Sequence, residues 1–86
     1  MLGANVWAAG NELDLIVRRG RELRFVEVKE KRSLDPFEAV TAEKQRRVRR
    51  AASAWLASRP ELAGLSVGFD VVGVRAGKLV RLRDAF

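Results

Sequence analysis

The chain has 86 residues, 48% of them hydrophobic, a formal net charge of +6, and neither cysteine nor histidine. That length supports one small α/β domain over residues 1–86 with a single modest core. The missing residue types exclude a disulfide scaffold, a thiolate zinc site, a cysteine nucleophile and any histidine-based triad, so any chemistry must run on carboxylates, amines, hydroxyls and bound metal. The positive charge points toward a polyanionic partner, nucleic acid before all others.

In chain order, residues 3–7 read as a short first strand and Ala9-Gly10-Asn11 as a turn. Glu12-Leu13-Asp14-Leu15-Ile16-Val17 alternates acidic and apolar side chains before turning fully apolar, and Leu23-Arg24-Phe25-Val26-Glu27-Val28-Lys29 is rich in β-branched and aromatic residues. Both predict strands, joined through Arg18-Arg19-Gly20-Arg21-Glu22 as an antiparallel hairpin that can bring Asp14 near Glu27. Glu27 and Lys29 share a strand face, roughly 7 Å apart.

Two carboxylates and an amine in that setting suit a divalent metal site. Magnesium and manganese take oxygen ligands and keep waters, so Asp14, Glu27 and the backbone carbonyl of Val28 suffice on the protein side. Lys29 could then orient a metal-bound water or stabilise developing negative charge. The plainer alternative is a solvated Glu27–Lys29 surface pair, worth under about 1 kcal/mol. Against it stands the apolar company of both acids, where a charge needs pairing, a metal or a cleft.

After Lys29, Asp35-Pro36 predicts a cap and a helical turn to residue 40. Thr41 then reads as the N-cap of a longer helix running to about Ser58, with Glu43 in its first turn and Pro60 beyond its end. Val48, Ala51, Ala52, Trp55 and Leu56 form its inward stripe, with Gln45 on or beside that face. Lys44, Arg46, Arg47, Arg49 and Arg50 are five basic residues in seven; they are either a solvated face or a phosphate-binding ridge. The tail predicts strands over residues 66–74 and 78–82 around a turn at Ala76-Gly77, with Asp70, a third carboxylate in apolar surroundings, read as an arginine partner ahead of a metal ligand. Trp7 and Trp55 both read as core. Asp70 also interrupts the most apolar stretch, so nothing approaches a membrane-spanning helix, and no signal-type start is present; a cytoplasmic location is expected.

Gly10 to Val17 as Gly-Asn-Glu-Leu-Asp-Leu-Ile-Val, followed by Phe25-Val26-Glu27-Val28-Lys29, Lys31-Arg32-Ser33, Asp35-Pro36, Glu38-Ala39-Val40-Thr41 and Lys44-Gln45-Arg46-Arg47, resembles the YraN family of endonuclease-like proteins. Phe69-Asp70-Val71-Val72 and Asp84-Ala85-Phe86 are similar to its ending, so the resemblance covers nearly the whole chain. That family looks like a compact branch of the PD-(D/E)XK nucleases, close to Holliday-junction resolvases, with a restriction-endonuclease-like mixed sheet flanked by helices. The resemblance implies Asp14 as the superfamily aspartate, Glu27 and Lys29 as its (D/E)-x-K pair, and Gln45 as the helix glutamine near the site. Lys31, Arg32, Lys44, Arg46, Arg47 and Arg50 are the expected nucleic-acid contacts. Members of the family usually open with a helix bearing an acidic residue, which has no counterpart before Gly3 here. Against the resemblance, either the native start lies upstream, or a partner chain covers the gap, or this is a shortened version without a third metal ligand; a homo-oligomer using the surface near residues 4–9 is expected. A nucleic-acid-binding or assembly module that keeps the fold without cleavage is the alternative.

Overall fold

The computed structural model describes residues 1–29 and 40–86; the expected helical turn at 36–40, Lys31 and Arg32 lie at least partly outside them. Five strands, β1 (Gly3–Ala8), β2 (Asn11–Arg19), β3 (Glu22–Val28), β4 (Ser66–Arg75) and β5 (Lys78–Leu82), form one sheet in sequential order. All neighbours are antiparallel except β3 and β4, which run parallel. A parallel pair needs a crossover, and α1 (Ala42–Ala57) lies on it, followed by a short 3-10 turn at Pro60–Leu62. This mixed sheet with a helix on one face is a restriction-endonuclease-like α/β arrangement. No described helix is long and apolar enough to cross a membrane.

Turn chemistry sets the hairpins. Ala9 and Gly10 (φ 49° and 75°) and Ala76 and Gly77 (φ 51° and 75°) occupy two-residue loops whose positive φ values match the strand twist. Thr41 caps α1 by accepting from the Lys44 backbone N–H at 3.1 Å. The buried residues of the helix are Val48, Ala51, Ala52 and Trp55, four of the predicted stripe, while the fifth, Leu56, is half-buried against the core. They meet Leu13, Ile16, Leu23, Phe25 and Phe69 of the sheet, with Phe25 edge-on to Trp55 at 5.9 Å and stacked on Phe69 at 5.5 Å.

Strict alternation cannot put residues three apart on one face of a strand. Yet Leu13 and Ile16 both belong to the core, and their β1 partners Val6 and Gly3 lie on that same side. A Cβ on Gly3 would sit 2.8 Å from Val6 Cγ2 and 3.5 Å from Ile16 Cδ1. Both strands therefore change phase between these two rungs, at Asn5 and Asp14. Asn5 takes a left-handed φ of 53°, which asparagine tolerates better than most residues.

Trp7 departs from expectation: it is 69% exposed. Its rung partner is Glu12, one step from the Val6–Leu13 rung, so it points away from the helix-side core that Val6 and Ala8 join. Trp55 is core, as read from the helical stripe.

On the face away from α1, Asp70 is fully buried and arginine-bound. It accepts from Arg81 at 3.1 and 2.5 Å, from Arg24 at 3.3 Å, and from the Asp84 backbone N–H at 3.0 Å. Arg24 also reaches Asp84 at 2.6 Å and Glu22 at 2.9 Å. Gly68 is required for this, because a Cβ there would overlap the Arg24 guanidinium. Burial alone would raise the Asp70 pKa, but hydrogen bonds from Arg81 and the Asp84 backbone, with the nearby arginine charges, leave it below the ordinary 3.8.

Candidate metal centre and phosphate-binding cleft

The phase change at Asp14 builds the site. Regular pairing between β2 and β3 runs from Arg19–Glu22 to Leu15–Val26, and the next rung would join Asp14 to Glu27. There, side chains replace the backbone ladder: the Asp14 N–H points to Glu27 Oε2 at 3.4 Å, and Asp14 Oδ2 accepts from the Val28 N–H at 2.8 Å. The two carboxylate residues are thus tied to each other's strands at the C-terminal end of β3.

Glu27 has the parity of Leu23 and Phe25 and so faces α1, opposite its first turn. It is only 4% exposed. Among the described residues its Oε1 is buried without a hydrogen-bond partner, and the cation paired with it, Lys44 Nζ, is 3.6 Å away, an ion-pair separation too long for a hydrogen bond. Burial, and then the charge of Asp14, push the Glu27 pKa up to about 6, against weaker opposing effects of the Asp14 N–H and Lys44.

An open cleft of about 560 Å³ runs beside these groups, lined by Asp14, Glu27, Val28, Lys29, Val40, Thr41, Lys44 and Arg47. A smaller hollow of about 350 Å³ adjoins the other side of Asp14, where Asn5, Glu12, Leu15 and Val28 line it. The cleft therefore gathers Asp14, Glu27, Val28 and Lys29 with Lys44 and Arg47 from the helix. The N-terminal end of α1, the positive end of the helix dipole, forms part of the rim through Thr41 and Lys44.

Gln45 is placed differently from these. Its side-chain amide donates to the Val40 carbonyl at 3.2 Å, and it is half-buried without lining the cleft. Arg46 and Arg50 are exposed on α1 outside the cleft, whereas Arg49 lies over Phe69 at 4.8 Å. The helix arginines thus divide between cleft, open surface and core cover.

A buried carboxylate oxygen lacking a donor among the described residues, next to a second carboxylate and on a side chain that lines a cleft, fits an oxygen-seeking divalent cation. Among the described residues there is no group of three or more acidic, histidine or cysteine side chains that could hold a metal. Among the described residues, those that could hold such an ion are Asp14 and Glu27, with Val28 beside them on the cleft. Sequence reasoning did not find the Lys44–Glu27 pairing or the place of Asn5. The first depends on how α1 crosses the sheet; the second had only an asparagine in a strand as a signal.

The model of a family described as "Uncharacterised protein family UPF0102" matches residues 1–74. A UPF0102 protein of Methylorubrum extorquens is 54% identical over 81 residues, which is 92% of this chain and 63% of that protein. UPF0102 protein amb4503 of Paramagnetospirillum magneticum is 45% identical over 75 residues, 86% of this chain and 58% of the relative. One from Saccharophagus degradans is 36% identical, with 99% of this chain and 75% of that protein covered. The chain spans 63% and 58% of the length of the first two relatives. It belongs to the UPF0102, or YraN, family.

Proposed function

We propose that this member of the UPF0102 family is a divalent-metal-dependent phosphodiester hydrolase acting on nucleic acid, with DNA as the expected substrate. The observation that carries the reading is the buried Oε1 of Glu27, without a hydrogen-bond partner among the described residues, beside Asp14 on a cleft walled by Lys29, Lys44 and Arg47. Asp14, Glu27 and the Val28 carbonyl would hold Mg²⁺ or Mn²⁺. Such an ion, when bound, supplies Lewis acidity toward a phosphoryl oxygen and a coordinated water of lowered pKa.

The chain's own groups do the rest. Burial and the Val28 N–H fix the two acids before substrate arrives. Lys29, on the cleft wall next to Val28, orients the attacking water and stabilises charge on the phosphate. Lys44, Arg47 and the start of α1 hold phosphate oxygens from the opposite wall. Gln45 is a positioning residue, bracing the rim through Val40.

Labelled single-stranded, duplex and four-way-junction oligonucleotides, incubated with Mg²⁺ or Mn²⁺, test this reading. Metal-dependent products that Glu27→Gln abolishes are expected. Tight binding with no products from any substrate would leave the second reading, a binding module without cleavage, which the presence of two carboxylates and no third on the cleft among the described residues favours. Trp7, exposed on the outermost described strand, favours self-association as a further property, read by sedimentation equilibrium.

Phosphate contact by the helix predicts a salt dependence. Affinity should fall steeply with salt as condensed counterions are released, and replacing Arg46, Arg47 and Arg50 by glutamine should flatten the log–log slope by about one unit per lost contact. Fluorescence anisotropy against salt concentration reads the slope; no change would return these arginines to a solvated face.

A further inference from the structure

Lys44 stands apart from the other basic residues of α1 in what it faces. Its ammonium lies 3.6 Å from Glu27 Oε1, the one atom of the site that is buried without a hydrogen bond among the described residues. Arg47, also on the cleft, pairs instead with Glu43 of its own helix at 3.8 Å. The Lys44 backbone is fixed, because its N–H is bound by the Thr41 cap. Its side chain is not: it is partly exposed to the cleft, and it sits beyond hydrogen-bond range of the carboxylate it neutralises. A compact ammonium on a four-carbon stem with rotatable donors can leave such a contact without moving the helix.

A divalent cation and the Lys44 ammonium compete for the same carboxylate oxygen. An Mg²⁺ ion binds oxygen at about 2.0–2.1 Å, so one seated on Oε1 would stand within a few ångströms of Nζ in its present place. Like charges at that range repel strongly in a site partly shielded from solvent. That repulsion drives the lysine off the carboxylate, and the cleft that it lines together with Arg47 offers it room.

Resting on the metal-dependent reading above, we propose that Lys44 is an internal counter-ion of Glu27, which occupies the carboxylate while no divalent cation is bound and is transferred to the substrate phosphate when the cation enters. It is a positioning residue in the metal-free protein and a phosphate ligand in the loaded one. Two consequences follow. Lys44 weakens metal binding by the free protein, and it strengthens nucleic-acid binding only after the metal has bound.

Mn²⁺ titrations followed by the electron paramagnetic resonance signal of the free ion test this on the full chain, using wild type, Lys44→Met, Lys44→Gln and Lys44→Arg. Circular dichroism melts establish that each variant is folded. Lys44→Met and Lys44→Gln should bind Mn²⁺ about 10-fold more tightly than wild type, because a cation beside the site is gone. Lys44→Arg, which keeps the charge, should stay near the wild-type affinity; a merely structural role would not sort the variants by charge. With Mn²⁺ present, Lys44→Met should bind a phosphorothioate oligonucleotide more weakly than wild type, and without metal the two should match. Wild-type Mn²⁺ affinity in Lys44→Met would overturn the counter-ion role while leaving the metal site standing. Absence of Mn²⁺ binding in every variant would remove both.

Discussion

Asp70→Ala should destabilise the domain by about 3 kcal/mol, lowering its thermal midpoint by about 15 °C, the largest stability loss expected from any single charged residue here. Asp70 is fully buried and receives two arginines and a backbone N–H. Removing it leaves Arg24, whose side chain is only 12% exposed, with a buried charge stripped of its deepest partner. The loss should spread to the C-terminus, because the same carboxylate anchors the Asp84 backbone, and the next residue binds Phe69 O at 2.7 Å. Phe86, stacked on Phe69 at 5.1 Å, would loosen with it.

The pH dependence provides an internal check. The Asp70 pKa is depressed in the folded state, so the folded protein binds its proton less readily than the unfolded chain. Its stabilisation is complete above the ordinary carboxylate value of 3.8 and is lost as pH falls through the lower folded value. Denaturant melts at pH 7 and at successively lower pH should therefore converge for wild type and Asp70→Ala. Parallel curves with a gap below 1 kcal/mol would mean the ion network is solvated and dispensable.

Glu27→Gln should act in the opposite sense. Its folded pKa is raised to about 6 from 4.5, so the folded state holds the proton more tightly. Keeping Glu27 ionised therefore costs stability: the penalty is absent below about 4.5, grows through the interval, and is complete above about 6. The shift would correspond to about 2 kcal/mol in a sealed site, and solvent in the open cleft reduces this to about 1 kcal/mol. Glu27→Gln should then be about 1 kcal/mol more stable than wild type at pH 7.5 and equal to it at pH 4, while losing divalent-metal binding. A residue that lowers stability at working pH yet is needed for a ligand is a signature of a functional site. A less stable Glu27→Gln at pH 7.5 would show that the Lys44 pair, rather than the ligand, accounts for the buried acid.

How far the fold could be read ahead of the structure depended on whether the governing interactions are local. The hairpin turns, the Thr41 cap and the Val48 to Trp55 stripe were legible because each rests on residue types at fixed short spacings. Asp14 and Glu27 were legible as a pair because a hairpin fixes its own register. Trp7 was misread: apolar neighbours in sequence say nothing about which face a strand residue takes, and the deciding fact is its rung with Glu12. The joint change of phase at Asn5 and Asp14 was hidden for a related reason, since each strand seen alone looks merely irregular. The arginine network around Asp70 joins residues 11 to 61 positions apart to partners two positions away, and only the sheet order reveals which arginines close on it.

Isothermal titration of Mn²⁺ into wild type and Asp14→Ala at pH 7.5 tests the central claim most directly, namely that the two carboxylates tied across β2 and β3 hold one divalent cation. The predicted result is a single saturating site in wild type and none in Asp14→Ala. No binding to the wild type, or binding that survives unchanged in Asp14→Ala, would contradict it.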